Sequence, residues 1–389
     1  GLALGATASV GMGPMWAQVA AAQALNPGKI LVIVELSGGN DGLNTVVPYA
    51  DDTYYKERPK IGIRGNKLIK IDDKFGFQNT MSGMERLWKD GKLAIVHGVG
   101  YDQPSLSHFS SMAYWHTAAP NSGETYGWLG RLADATDNTQ DPNYLVNIDA
   151  RQSLAVRAKE HVPLVFDDPE KFARSGYDNE KGALKKLSLR KGGNNGAETF
   201  MFDVAHSAQS AEVKVRDAWN KYSTPVDYGL VRFGLDRVAA LISAGFSTKI
   251  YYVAYRNNSF DTHVYQADVH NRLWTYTSDH LAGFIKDIDR IGRGNDVAVM
   301  AFSEFGRRVP ENTSLGTDHG TAGPMFVIGK NVKGGHYGTV PSLTDLDDGN
   351  LKFTTDFRRV YATMIQEHMG FKDAKSVLRG EFQTFKMFA

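Results

Sequence analysis

Four stretches of this chain, hundreds of residues apart, carry side chains that could do chemistry together. They are Asn40 and Asp41 in "SGGNDG", Ser105, Ser107 and His108 in "SLSH", Asp261 and His263 in "DTH", and Glu304, Arg307, Asp318 and His319 in "FSEFGRRVPENTSLGTDHG". Pooled, they supply hard carboxylate oxygens, imidazole nitrogens, hydroxyls at a helix start and a guanidinium. That set suits a divalent metal ion and an anionic substrate. Singly, each has a plainer use. "SGGNDG" and "TDHG" are turn chemistry, "SLSH" is a helix cap, and "DTH" is a capping Asp beside a packing His. Only a fold that brings all four to one place favours the chemical reading.

The surrounding pattern predicts such a fold. "KILVIVEL", "KLAIVHGVG", "STKIYYVAY", "DVAVMAF" and "GPMFVIG" are short apolar, β-rich runs, as expected of strands buried on both faces of a parallel sheet. Helical spacing follows in "SLSHFSSMAYWHTA", "YQADVHNRLWTYTSDHLAGFIKDIDRI" and "TTDFRRVYATMIQEHMG". Strand, polar loop and helix in repetition predict an α/β fold, a mostly parallel central sheet with helices on both faces. Ligands of such sheets bind at the carboxyl ends of the strands, where all four polar stretches fall. Residues 28–389 read as a single domain, with a polar insertion around 165–228 whose clearest loop is "RKGGNNGAE". The histidines outside the four stretches read as structural.

Composition narrows the partners. With 44 Lys and Arg against 43 Asp and Glu in 389 residues, the formal charge of +1 offers no footprint for nucleic acid. There is no cysteine, hence no disulfide, thiolate metal site or cysteine nucleophile. Residues 1–27 are uncharged and small-residue-rich over most of their length and read as a signal-like segment or N-terminal arm, which points to export to the periplasm or cell surface. Nothing later is long and apolar enough to span a bilayer.

"VIVELSGGNDGLNTVVPY", "AIVHGVGYDQPSLSHFSSMAYWHTA", "GWLGR", "FDTHVYQ", "SEFGRRVPENTSLGTDHGTAGPMFVIG" and "DFRRVYATMI" together resemble the bacterial family called domain of unknown function 1501. That family is similar to the alkaline phosphatase and sulfatase superfamily. The resemblance implies an alkaline-phosphatase-like fold, export by the twin-arginine route, and a metal-assisted hydrolytic site. It makes Ser107 the nucleophile, with Ser105 as the alternative, and Asp41, Asp261, His263, Glu304 and His319 metal ligands. Glu304 stands where the superfamily carries an Asp-His pair, but the next residue here is Phe305, which removes an imidazole. Zinc, calcium and magnesium all remain open as the metal.

The implied activity is hydrolysis or transfer at a phosphate or sulfate ester, on an anionic small molecule or polysaccharide. Ser107 would attack, Arg307 and helix-start amides would hold non-bridging oxygens, and His108 or His319 would protonate the leaving group. The rival reading is a non-catalytic exported surface or assembly protein on the same fold, which the loss of an imidazole at Phe305 favours. A serine acyl hydrolase is disfavoured, because no G-x-S-x-G elbow surrounds any serine.

Overall fold

The protein is described by a computed structural model covering residues 25–172, 210–255 and 257–389. Residues 1–24 of the signal-like segment and most of the polar insertion lie outside the described residues. The central strand, β1 (Ile30–Leu36), is buried along its whole length, which is why it reads as an unbroken apolar run. The other sheet strands are β2 (Leu93–Gly100), β3 (Leu145–Ile148), β4 (Leu164–Phe166), β5 (Ile250–Tyr255), β6 (Val297–Phe302), β7 (Gly323–Ile328), β8 (Gly335–Tyr337) and β9 (Thr355–Asp356). They form a nine-stranded sheet in the order β8-β2-β7-β6-β1-β5-β3-β4, with β9 also paired to β2.

Every pairing is parallel except those of β7, which runs antiparallel to both β2 and β6. The sheet is mostly parallel, as expected, and "GPMFVIG" supplies its antiparallel strand. Its reversal has a consequence for the site: the excursion from β6 to β7 leaves and re-enters the sheet at the same edge. That excursion folds back on itself, with Arg307 bridged to His319 and the Arg308 N–H donating to the Asp318 carbonyl. The carboxyl ends of β1, β2, β5 and β6 and the amino end of β7 thus share one edge.

Alternation along β1 divides the core in two. Val32, Val34 and Leu36 face a cluster with Trp274, Leu281, Phe284 and Ile288 of helix Gln266–Arg290. Leu31 and Ile33 face the other side, with Trp115 of helix His108–Thr117, Leu129 and Leu132 of Trp128–Thr136, and Val360 and Tyr361 of Phe357–Thr363. Helices therefore cover both faces, and each fully buried Leu, Ile or Val contributes about 1.5–3 kcal/mol. Trp115 stacks on Phe302 and Phe357, with ring centroids 5.4 and 4.4 Å away. This packing anchors the helix whose first turn carries His108 to the end of β6. Strand β4 lies at the sheet edge just where the polar insertion was expected to begin.

Candidate metal centre

The turn after β1 is built on two glycines with positive φ, 122° at Gly38 and 75° at Gly39. A Cβ on Gly38 would lie 2.5 Å from the Asp261 nitrogen, and one on Gly39 2.3 Å from a Phe305 ring carbon, so neither position admits a side chain. Their amides aim at the Glu304 carboxylate, from Gly38 at 2.9 and 3.1 Å and from Gly39 at 3.0 Å. Their carbonyls accept from Arg307, Gly39 from Nε at 2.6 Å and Gly38 from Nη2 at 2.5 Å. A carboxylate on one side and a guanidinium on the other clamp the turn.

From this clamp the site grows outward. Glu304 Oε1 accepts from His108 Nδ1 at 2.8 Å. Arg307 Nη2 donates to Asp261 Oδ1 at 2.7 Å. His319 Nδ1 lies 2.8 Å from the carbonyl of Leu106. A carbonyl only accepts, so that nitrogen carries the proton. His263 Nδ1 faces Asp318 Oδ1 at 3.3 Å, and Asn312 Nδ2 donates to the same oxygen at 3.1 Å. Each of the three imidazoles thus has Nδ1 occupied by an oxygen and its Nε2 directed elsewhere.

All three Nε2 atoms converge on Asp261. His263 and His319 approach Oδ1 at 3.0 and 3.2 Å, and His108 lies 3.3 Å from Oδ2. The two Nε2 atoms of His263 and His319 are 2.9 Å apart. His108, Asp261 and His319 each offer a ligand atom within 4.8 Å of one another. His108 Nε2 is buried yet makes no hydrogen bond within the chain. These observations fit a metal. Ligands about 2.0–2.1 Å from a tetrahedral ion sit about 3.3 Å apart, and metal-binding imidazoles donate their far N–H to a carboxylate or carbonyl. His263 meets Asp261 and His319 but falls outside the group of His108, Asp261 and His319, so the set is two imidazoles and a carboxylate with a third imidazole beside them. Such a set suits a zinc-class ion better than calcium or magnesium, which prefer oxygen.

The electrostatics of Asp261 and His319 agree. Burial alone would raise the Asp261 pKa, but the bonded Arg307 guanidinium holds it below the usual carboxylate value, so the group is anionic at neutral pH. Burial, with Arg307 nearby, lowers His319 and leaves its Nε2 lone pair free. The hydrogen bond to Glu304 raises His108 against the opposing effect of burial.

Other residues read as site members stand elsewhere. Asp41 is fully buried. Its carboxylate accepts from Arg58 Nη1 at 2.6 Å, from Gln266 Nε2 at 2.5 Å and from the amides of Leu43 and Asn44. It is the cap of a short 3₁₀ turn and half of a buried ion pair, with its oxygens already taken. Burial pushes its pKa up, and Arg58, with His270 and Gln266, more than offsets this. Asn40 is likewise committed, accepting from Trp274, Thr45 and His270. Arg307 is only 1% exposed, and its donors go to Gly38, Gly39, Phe260, Thr317 and Asp261. It positions a ligand rather than reaching for a substrate. Glu304 lies behind His108 rather than beside Asp261. Phe305 packs against His108 and His319, with centroids 4.9 and 4.7 Å away. Ser107 does take the N-cap position, but its exposed hydroxyl makes no capping bond.

Sequence reasoning gave His108 a proton-transfer role and missed Asp318 as a support for His263. The "TDHG" and "DTH" motifs were the available signals, each pairing a carboxylate with an imidazole.

A family model described as protein of unknown function (DUF1501) matches residues 28–381. No curated protein matches the chain significantly. Among solved structures it is similar to the lipoteichoic acid synthase LtaP from Listeria monocytogenes, at 10% identity over 94% of this chain and 80% of that one, with a TM-score of 0.40. A Vibrio parahaemolyticus protein in the alkaline phosphatase superfamily is 10% identical over 81% and 63%, with a TM-score of 0.37. The C-terminal periplasmic domain of EcEptC from Escherichia coli, solved with Zn, is 11% identical over 78% and 73%, with a TM-score of 0.35.

Proposed function

We propose, for a chain that belongs to the family described as protein of unknown function (DUF1501), metal-assisted hydrolysis or transfer at a phosphate or sulfate ester. One observation carries this reading: three imidazoles with Nδ1 tethered and Nε2 turned onto one anionic carboxylate, at an edge open to solvent. The side chains of His108, Asp261, His319 and His263 are 19, 29, 22 and 38% exposed, so a substrate can reach them. A divalent ion held by His108, Asp261 and His319, with His263 beside them, would neutralise an ester anion and lower the pKa of a nearby hydroxyl.

The chain's own residues do the rest. Ser107 precedes a ligand at the start of a ten-residue helix, and its hydroxyl has no competing bond. The first amides of that helix have no intrahelical partner and can hold non-bridging oxygens. Asp318 and Glu304 keep two imidazoles in the tautomer that leaves Nε2 free. Because Nε2 of His108 and His319 faces the metal position, neither is assigned proton transfer to the leaving group. Export to the periplasm or cell surface, by the twin-arginine route, belongs to the same reading and rests on residues 1–27. Among the described residues no helix is long and apolar enough to cross a membrane.

The commitment of Arg307 to its own chain favours a second reading, in which the exported protein binds an ion without turnover. A panel of aryl phosphates and aryl sulfates separates the two. Turnover that falls on chelation and returns with added zinc supports the enzyme; no turnover with zinc, magnesium or calcium leaves only the binding protein.

A further inference from the structure

Ten large apolar side chains are exposed among the described residues, and five of them lie close in the chain to residues of the metal centre: Leu106, Phe109, Val264, Tyr265 and Val269. Four are tied to those residues by the chain itself. The Leu106 carbonyl holds His319, Phe109 follows His108, and Val264 and Tyr265 follow His263. Val269 lies one helical turn beyond Tyr265 on Gln266–Arg290.

Two of these residues are hard to account for as packing. Phe109 is 92% exposed in the first turn of its helix, and Tyr265 is 71% exposed. Tyr265 also adopts the left-handed region, φ 45°, which an aromatic residue rarely takes. Two backbone bonds pin it there, from Tyr265 N to the Ser314 carbonyl at 3.0 Å and from Gln266 N to the Leu315 carbonyl at 2.9 Å. Strain of this kind, without burial in return, clusters at sites that hold a ligand. A concentration of exposed apolar groups likewise marks a binding surface.

We infer that this rim binds the apolar part of the substrate, so that the ester attacked carries a bulky alkyl or aryl group rather than a small polar one. The inference rests on the ester reading above and names its substrate class. The anionic head lies at the metal centre and the apolar body lies across Phe109 and Tyr265. Since the ligands sit at an open edge, a long body need not fit an enclosed cavity.

Calorimetry on the zinc-loaded protein with methylphosphonate and hexylphosphonate tests this without turnover. Each methylene that leaves water gains about three- to fourfold in affinity, so hexylphosphonate should bind at least about tenfold more tightly than methylphosphonate. Phe109→Ser and Tyr265→Ser should each shrink that ratio while zinc content stays at the wild-type level. A wild-type ratio near unity overturns the inference and leaves the ester reading intact. So does a large ratio that both variants retain. If neither phosphonate binds, the ester reading falls and the inference with it. Cosedimentation with phosphatidylcholine vesicles, combined with no preference for the hexyl chain, would assign the rim to a membrane surface and likewise overturn it.

Discussion

Ser107→Ala is expected to yield a folded protein whose turnover of aryl phosphate or sulfate esters is lost, by about a thousandfold or more if the hydroxyl is the nucleophile. The geometry makes this a clean test. Ser107 caps its helix in position only; with no hydrogen bond from the first-turn amides to the hydroxyl, its removal should change stability by no more than about 0.5 kcal/mol. A fall in rate therefore cannot be attributed to unfolding. Ser105→Ala should behave in the opposite way. Its hydroxyl accepts from the Ser107 N–H at 3.2 Å, so the change should loosen the turn and reduce the rate less. Equal rates in wild type and Ser107→Ala, with melting curves superimposed, would remove the serine from the chemistry.

Acid should unfold the protein well before its carboxylates are all protonated. Four buried histidines outside the His108–Asp261–His319 cluster have folded pKa values below the ordinary 6.5: about 4 for His97, His270 and His368 and about 3 for His280. Burial is the leading cause in each. One of them, His280, is also held neutral by a contact, its Nε2 accepting from the Leu235 amide, whereas His270 and His368 donate to the Asn40 Oδ1 and the Ile30 carbonyl. A depressed histidine pKa means that the unfolded chain binds the proton first. The stabilisation is complete above about pH 6.5, declines as pH falls towards 4, and is gone below the folded pKa. Each site contributes a slope of about 1.4 kcal/mol per pH unit within that window. Several act together against a typical total of 5–15 kcal/mol, so the urea midpoint should drop steeply between pH 6.5 and pH 4.5. A midpoint that is flat across this range would contradict the buried, neutral state of these rings.

Much of the fold could be read in advance because it rests on local pattern. The five apolar runs became β1, β2, β5, β6 and β7, and the three helical segments contain His108–Thr117, Gln266–Arg290 and Phe357–Thr363. The strands that escaped notice, β3, β4, β8 and β9, are two to four residues long, too short for periodicity to register. The direction of β7 was also hidden, since an apolar run looks the same in either sense.

The site shows the same boundary between local and long-range information. Residues at a shared sheet edge could be named, and Asp261, His263 and His319 do meet. What each carboxylate does depends on partners that sequence spacing does not reveal. Glu304 reaches His108 across 196 positions, and Arg58 takes the carboxylate of Asp41 from 17 residues away in the interior. Arg307 carries the charge of an anion clamp, but its burial, which only the folded excursion produces, turns it inward.

The central claim is that His108, Asp261 and His319, with His263 beside them, form a metal centre, and metal analysis tests it most directly. Wild-type protein equilibrated with zinc and then dialysed is expected to retain about one divalent ion per chain. Folded His319→Ala should bind it at least about tenfold more weakly, since water is a poor replacement for an oriented imidazole. Wild-type protein that holds no zinc, or His319→Ala that holds as much with undiminished affinity, would contradict the account.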